Sequence, residues 1–286
     1  MGGSIIKAVN GPGSRISVVV EGEAEETVIF LHGGPGMPDY LRDVAHLLLP
    51  AYRVVRYDQR DSGNSVCLDG RFGLEDHTAD LESVRQACRC ERVHLFGHSW
   101  GGLLAQLYAV DYPGRVRKLF LCNPLPGIGE DWRWMERASI AYHLRHGGFF
   151  RSLALGALVA GTAAPGRVGR WAARQMIAIA WRDFFDPFPP PPLGKAFLEG
   201  ISAKAFSRTR HAALRADASR LDGAILPEPD RVAILFGERD FLTTLADRVN
   251  SRYPCAKQIR LPGAGHWPWI ENPPEFRRKL CKFFIC

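Results

Sequence analysis

Short apolar runs alternate with amphipathic stretches along most of the chain. Runs with the length and composition of strands occupy residues 16–21, 27–32, 53–57, 93–96, 118–123, 232–236 and 258–261. The stretches between several of them, such as residues 103–112, place apolar side chains three and four positions apart, which predicts helices. Regular alternation of strands with helices is typical of a mostly parallel sheet flanked by helices. The pattern therefore predicts the α/β class.

The alternation is interrupted once, by a long helical stretch. Helical patterns cover residues 132–145, 168–180 and 195–218 without a convincing strand between them. We therefore expect an inserted helical lid domain at residues 125–222, and a core made of residues 1–124 and 223–286.

The insertion is also the basic part of the chain. Residues 125–226 carry 14 Lys and Arg against 8 Asp and Glu, which is +6 of the whole-chain net charge of +7. Most of these cations are expected on solvated helix faces. Any that turn inwards would suit an anionic substrate with a carboxylate or phosphate, and none would help to bind an ammonium group.

One apolar strand runs directly into a candidate nucleophile. The strand at 93–96 continues into the sequence GHSWG at 97–101, and a helical pattern follows at once. In such a nucleophile elbow the serine occupies a strained strand-to-helix turn, and only small flanking residues leave room for so tight a backbone. Ser99 is therefore the candidate nucleophile, with a purely structural glycine turn as the alternative.

A serine hydroxyl is a poor nucleophile at neutral pH, so Ser99 requires a histidine base and a carboxylate that orients it. After a G-x-S-x-G elbow these partners follow in the order acid, then histidine. The strand at 232–236 leads into a loop that contains Glu238 and Asp240. We favour Asp240, because Glu238 lies nearer to the strand end and is as easily a solvated charge. The next strand leads into a glycine-rich turn that ends at His266, the candidate general base.

The other histidines have less specific surroundings. His98 adjoins the nucleophile, which is expected to point its side chain away from the reacting face. His32 lies in a glycine turn and is expected to hold the loop. We expect His143, His146 and His211 on the surface, because their neighbours are polar and helical. No histidine pair has metal-ligand spacing with a third partner, so the sequence predicts no metal site and no cofactor.

Acyl transfer also requires N–H donors for the oxyanion of the tetrahedral intermediate. The backbone N–H of Trp100, the residue after the nucleophile, is the first candidate. The second is the N–H of Gly34, in the sequence HGGPG at 32–36 that follows an early strand. The neighbouring Gly33 would let the backbone approach the substrate. The alternative for this loop is a turn without a chemical role.

Aromatic residues surround the candidate triad in the sequence. Trp100, Phe241, Trp267 and Trp269 flank it, and the insertion supplies Trp132, Trp134, Trp171, Trp181, Phe184 and Phe185. An aromatic-lined pocket is expected if half of them face the site, with Gly33, Trp181, Phe241 and Trp267 as candidate substrate-binding residues. The alternative is that the lid aromatics only pack the insertion against the sheet.

Through three motifs the chain resembles the α/β-hydrolases and, among them, the proline iminopeptidase group. The motifs are HGGPG at 32–36, DQRDSG at 58–63 and GHSWGG at 97–102. The resemblance implies an α/β-hydrolase core with an inserted lid. The first and last motifs also occur in esterases, lactonases and other acyl hydrolases. Asp61 stands where that family usually has glycine.

The resemblance also implies how such peptidases hold their substrate. They grip its terminal ammonium with lid glutamates, one of which follows a tryptophan-rich motif. The comparable stretch here, AWRDFF at 180–185, contains no glutamate, and we find no match for the second lid glutamate. The predicted function is therefore a serine hydrolase that cleaves an ester, lactone, thioester or amide of a small molecule through an acyl-Ser99 intermediate. An aminopeptidase of the proline iminopeptidase type is one alternative, and a binding protein or non-hydrolytic catalyst on the same fold is the other.

Composition and local sequence agree with a globular enzyme and argue against a secreted, membrane-spanning or nucleic-acid-binding protein. The 286 residues are 46% hydrophobic, which is enough for one large domain with an insertion. The start of the chain lacks the apolar run of a signal peptide, and the longest apolar stretch, at 153–164, is too short to span a membrane. The seven cysteines form no C-x-x-C pair, so we expect reduced thiols and a cytoplasmic protein. No aromatic-basic motif indicates nucleic-acid binding, and the oligomeric state stays open.

Overall fold

The computed structural model describes residues 5–185, 188–223, 226, 228 and 230–285, and within them one nine-stranded sheet is flanked by helices. The strands are β1 (Ile5–Gly11), β2 (Ser14–Glu21), β3 (Thr27–Leu31), β4 (Arg53–Tyr57), β5 (Val66–Cys67), β6 (Val93–His98), β7 (Val116–Cys122), β8 (Val232–Gly237) and β9 (Lys257–Leu261). The helices are α1 (Arg42–His46), α2 (Leu74–Ala87), α3 (Trp100–Asp111), α4 (Glu130–Gly161), α5 (Gly166–Phe184), α6 (Lys195–Glu199), α7 (Ala203–Arg215), α8 (Ala246–Asn250), α9 (Pro268–Glu271) and α10 (Pro273–Phe284).

The sheet is mostly parallel, as the alternating pattern predicts. Its spatial order is β1-β2-β4-β3-β6-β7-β8-β9, and β5 pairs with β2. All pairs from β4 to β9 along this order are parallel, whereas β2 is antiparallel to β1, β4 and β5. The parallel strands therefore end at one edge, where their carboxyl-terminal loops meet.

The central strands are buried on both faces, because helices cover each side of the sheet. In β3, Val28 and Phe30 pack in the cluster that contains residues of α1 and α10. Ile29 and Leu31 point to the other face, into the cluster with α2 and α3. Successive side chains of a strand alternate between faces, so an unbroken apolar run is what a doubly covered strand requires.

Two strands and several element bounds differ from the sequence prediction. The sequence pattern did not reveal β1, because it is an edge strand whose first four residues are exposed, or β5, which has only two residues. The single helix expected at 195–218 is divided into α6 and α7. Ser202 caps the start of α7, since its side chain accepts a hydrogen bond from the Ala205 N–H. Helix α4 extends well beyond 145 and contains a non-helical residue, Gly148, with φ 74° and ψ 173°.

The described residues between β7 and β8 form four helices, α4 to α7, and a short 3-10 turn at Ala218–Gly223. Helix α7 contacts the core through His77 of α2, whose Nε2 lies 2.9 Å from Thr209 Oγ1. The boundary expected at residues 222 and 223 lies next to residues 224 and 225, which are outside the described residues. Among the described helices, none combines the length and the hydropathy needed to cross a membrane.

Candidate active site

Ser99 occupies a strained turn between β6 and α3. Its φ is 54° and its ψ is −119°, a conformation that L-residues rarely adopt. A Cβ on Gly97 would lie 2.5 Å from the carbonyl oxygen of Gly101, and one on Gly101 would lie 2.1 Å from that of Leu31. No other residue fits at these two positions without moving backbone. The glycines of the elbow are therefore required by close packing.

The loops after β8 and β9 bring a carboxylate and an imidazole together. The Nδ1 of His266 lies 2.8 Å from Oδ2 of Asp240, and both side chains are buried. Because a carboxylate only accepts, Nδ1 carries a proton, and in a neutral imidazole the lone pair is then on Nε2. Glu238, the competing acid in the sequence, is exposed and accepts a 3.2 Å hydrogen bond from the Gly263 N–H. His266 is thus oriented by Asp240.

Ser99 and His266 lie in the wall of one cavity of about 720 Å³, together with Gly34, Trp100, Phe241 and Trp267. Two other candidate substrate-binding residues, Gly33 and Trp181, adjoin residues of this lining. A Cβ on Gly33 would lie 2.9 Å from the Cβ of Ser99, and the ring centroids of Trp181 and Trp267 are 4.6 Å apart. Within the described part of the chain, no group of three or more His, Cys, Asp or Glu side chains could hold a metal ion.

Asn123, which the sequence analysis did not identify, joins three loops of the site. It follows β7 with a positive φ of 43°. Its Nδ2 donates to the carbonyl oxygens of Gly265 and His266, at 3.0 and 3.1 Å, and its Oδ1 accepts from the Gly237 N–H at 2.8 Å. The end of β8 and the histidine loop are therefore held by one amide. A polar residue at the end of an apolar strand was the only sequence signal.

His98 connects the histidine loop to the glycine loop. Its Nε2 lies 2.8 Å from the carbonyl oxygen of His266 and must donate, because a carbonyl only accepts. Burial, and then the nearby His266, lower the pKa of His98 well below its usual value, so the ring is neutral and Nδ1 accepts from the Tyr40 hydroxyl at 2.6 Å. The Tyr40 oxygen in turn accepts from the Gly33 N–H at 2.7 Å. These hydrogen bonds form a continuous chain between the two loops.

Two of the six aromatic residues named in the insertion line the cavity. Phe184 stacks on His266 with ring centroids 4.8 Å apart, and Trp132 also lines the cavity. In contrast, Trp134 and Trp171 are 40% and 60% exposed and face away. The remaining lining is mostly aliphatic, so the pocket is apolar and only partly aromatic.

A charged pair also lines the cavity, and the sequence analysis did not identify it. Glu136 of α4 accepts two hydrogen bonds from Arg210 of α7, at 2.6 and 2.9 Å, and a third from the indole N–H of Trp132 at 2.9 Å. The sequence comparison with the peptidase lid motif concerns residues 180–185 on α5, whereas Glu136 lies on α4. Because the guanidinium and the carboxylate neutralise each other, neither presents a free charge to the cavity.

The expectation that His143 lies on the surface is wrong. The side chain is 2% exposed, lines the cavity, and places Nδ1 2.9 Å from Oδ2 of Asp183 on α5. Burial is the main cause that lowers its pKa. Polar neighbours in the sequence concealed this position, because α4 turns its exposed side to water and His143 to the cavity. His211, by contrast, is exposed as expected.

Comparison with known proteins agrees with this architecture. The proline iminopeptidase of Lactobacillus delbrueckii subsp. lactis is 33% identical over 115 residues, which are 38% of this chain and 39% of that protein. The chain thus aligns with about two fifths of the length of such relatives. An esterase from Exiguobacterium antarcticum superimposes with a TM-score of 0.71 at 21% identity, covering 99% of both chains. The proline iminopeptidase of Mycobacterium smegmatis gives 0.68 at 22% identity, covering 98% of this chain and 97% of that one.

These structural matches show a shared fold. The family model for the alpha/beta hydrolase fold matches residues 26–273, which include the elbow and the loops that follow β8 and β9. This chain therefore belongs to the α/β-hydrolase family.

Proposed function

We propose that the protein is a serine hydrolase that cleaves an ester, lactone, thioester or amide of a small, largely apolar molecule through an acyl-Ser99 intermediate. The observation that carries the proposal is the shared cavity wall of Ser99, at its strained elbow, and His266, whose Nδ1 is held by Asp240. The core of residues 1–124 and 223–286 supplies these groups, and residues 125–222 act as the lid that encloses the acyl group.

The proposed reaction has two halves. Ser99 Oγ attacks the carbonyl carbon while Nε2 of His266 takes the hydroxyl proton, and the imidazolium then gives this proton to the leaving group. Water next attacks the acyl-serine, and His266 takes a proton from the water and returns it to Ser99 Oγ as the acid departs. Asp240 keeps Nδ1 protonated throughout and stabilises the imidazolium.

The proposed oxyanion hole consists of the N–H groups of Trp100 and Gly34. Trp100 begins α3, so its N–H is among those that a helix leaves without an intrahelical partner. Gly34 has a positive φ of 58° and lines the same cavity as Ser99. The hydrogen-bond chain through Tyr40 and His98 holds the adjacent Gly33, so the loop is preorganised before substrate binds.

The charges of the cavity favour an uncharged acyl group. An aminopeptidase needs a free carboxylate for the substrate ammonium, but Glu136 is engaged by Arg210 and Trp132. The same pairing removes the free cation that an anionic substrate would require. We therefore place ester or lactone hydrolysis first. Peptide cleavage is the second candidate, because the partial sequence relatives include proline iminopeptidases.

An activity-based fluorophosphonate probe tests the nucleophile. The wild type should be labelled, and Ser99→Ala should not be. Ser139→Ala, which removes a second serine of the cavity wall, should keep the label. Labelling that persists in Ser99→Ala would refute the acyl-Ser99 intermediate.

A substrate comparison separates the two candidate activities. Short aryl esters should be turned over at least about tenfold better in kcat/KM than prolyl or alanyl arylamides, after each rate is divided by its uncatalysed rate. Arylamides with a free amine should gain nothing over their N-acetylated forms. A clear advantage of the free amine would show an ammonium site and favour the peptidase.

A further inference from the structure

The lid contains a second buried histidine–aspartate pair that faces the same cavity. His143 lies on α4 and Asp183 at the end of α5, and the two side chains are 2% and 1% exposed. Both imidazoles of the cavity contact one ring, because the centroid of Phe184 lies 5.5 Å from that of His143 and 4.8 Å from that of His266. The His143–Asp183 pair is therefore separated from the proposed general base, His266, by about the width of one aromatic ring.

The contacts of His143 fix its tautomer. Asp183 Oδ2 lies 2.9 Å from Nδ1, and Oδ1 of the same carboxylate forms an ion pair of 2.9 Å with Arg151. The carboxylate is thus charge-balanced by Arg151 and accepts the Nδ1 proton of His143. Burial keeps the pKa of the imidazole below its usual value, so the ring is neutral. Its Nε2 then carries a lone pair and can only accept a hydrogen bond.

The lone pair on Nε2 of His143 is a hydrogen-bond acceptor in the part of the lid that lines the cavity. Among the residues that the structure describes, none donates to Nε2 of His143. The charged side chains of the lid lining, Glu136 and Arg210, bind each other. A ligand that supplies a donor to this acceptor gains a hydrogen bond in a largely apolar cavity, whereas a ligand of the same shape without the donor leaves the acceptor unpaired. The rest of the lid lining is largely aliphatic, and of its two serines, Ser152 donates to the Gly148 carbonyl, while no described hydrogen bond joins Ser139 to His143.

We propose that His143 binds the substrate, its Nε2 accepting a hydrogen bond from an uncharged donor, a hydroxyl or an amide N–H, on the group that fills the cavity beyond Ser99. Asp183 is the positioning residue that keeps Nδ1 protonated and Nε2 available. The inference rests on the proposed hydrolase function and refines it. The substrate class becomes an apolar ester or related acyl compound with one neutral donor remote from the scissile carbonyl.

A matched substrate series tests the proposal. Each p-nitrophenyl ester carries an acetamido group, moved one carbon at a time along the acyl chain, and is compared with its N-methylated counterpart, in which a methyl group replaces the donor hydrogen. At one position or more, the wild type should prefer the N–H member by about tenfold in kcat/KM, the value of one good hydrogen bond. His143→Phe should reduce this ratio to about one.

Two controls make the result decisive. His211→Phe, which changes an exposed histidine of α7, should keep the wild-type ratio. The proposal is overturned if no position of the donor gives a preference, or if the preference survives in His143→Phe. The ratio is measured within each variant, so a general loss of activity does not imitate the effect.

A measurement that needs no turnover covers the case in which His143→Phe does not fold. In ¹⁵N-histidine-labelled Ser99→Ala, binding of the preferred ester should move the His143 Nε2 resonance upfield, and the N-methylated ester should not. An unmoved resonance would overturn the role of His143. Hydrolysis that continues in Ser99→Ala would instead overturn the acyl-Ser99 mechanism, so the two failures are distinguishable.

Discussion

Among the described residues, a buried pair of histidine and aspartate occurs once in the core and once in the helical insertion. In the core, His266 lies 2.8 Å from Asp240, and in the insertion His143 lies 2.9 Å from Asp183. Both pairs are buried, both bond through Nδ1, and both imidazoles line one cavity. Contact between histidine and aspartate therefore does not by itself distinguish the proposed catalytic base from the proposed binding group.

The surroundings of the two pairs make the difference. His266 is on a loop at the carboxyl end of a parallel strand, where Asn123 and His98 bind its backbone and Ser99 shares its edge of the sheet. His143 lies within a helix, and its partner Asp183 is also bound by Arg151. Backbone held by several strands defines a position more rigidly than two packed helices. The core pair is thus suited to proton transfer, and the lid pair to recognition.

The largest expected effect compares the two aspartates directly. Asp240→Asn should lower kcat by a factor of about 10⁴, because an asparagine no longer enforces the Nδ1 protonated tautomer of His266. Asp183→Asn should lower kcat/KM for a donor-bearing ester by about tenfold at most. Steady-state kinetics of both variants with the same esters provide the measurement.

The opposite ranking of the two aspartate variants would contradict this assignment. If Asp183→Asn abolishes kcat while Asp240→Asn is mild, then the functions of the two pairs are exchanged. Glu238→Gln provides a control, since this exposed carboxylate does not contact His266, and it should leave kcat within about twofold.

The second prediction compares glycines in helices of the two regions. Gly101→Ala should destabilise the protein by at least about 3 kcal/mol, because its Cβ would lie 2.1 Å from the backbone oxygen of Leu31. Gly156→Ala, on α4, meets no atom within 4 Å and should stabilise by about 0.5–1 kcal/mol through helix propensity. Urea unfolding of both variants would measure the two signs. Equal effects would show that the elbow is not as tightly packed as described.

The smallest effect concerns the junction between the regions, at His77. Burial is the main cause that lowers the pKa of His77 to about 3, whereas an unfolded histidine titrates near about 6.5. The unfolded chain therefore binds the proton first, and His77 destabilises the fold as the pH falls below about 6.5. Its effect on the slope of the unfolding free energy approaches about 1.4 kcal/mol per pH unit. Above pH 6.5 the imidazole is neutral in both states and contributes no slope.

His77→Gln tests this pH dependence, because an amide can still reach Thr209 and does not titrate. Chemical unfolding between about pH 6.5 and 4.5 should show a shallower loss of stability in the variant than in the wild type. Parallel slopes would show that His77 is not the group responsible.

Sequence reasoning reached the parts of the site that depend on local pattern. The elbow around Ser99 follows from glycine spacing after an apolar strand, and the loops of Asp240 and His266 follow from strand ends. These features need no knowledge of distant contacts. The spatial match of Asp240, rather than Glu238, to His266 is what the structure adds.

Other parts depend on contacts between segments far apart in the chain. Asn123 binds backbone that is 142 residues away, which no local pattern reveals. The cavity-facing positions of Glu136 and His143 depend on how α4 lies over the sheet, and helical periodicity among mixed polar residues does not show which side that is. The sequence therefore predicted which residues meet at the sheet edge better than it predicted the lining of the pocket.

The hydrogen-bond chain that runs from Gly33 through Tyr40 and His98 to His266 has a consequence for how such a molecule can change over evolutionary time. All four residues belong to the core, as does Asn123, so the bonds described for this chain involve no residue of the inserted helices. An exchange of the insertion would alter what enters the cavity without breaking these hydrogen bonds. Recombination between relatives, or the laboratory grafting of a foreign cap, could therefore change selectivity in one event and leave the proposed catalytic groups in place.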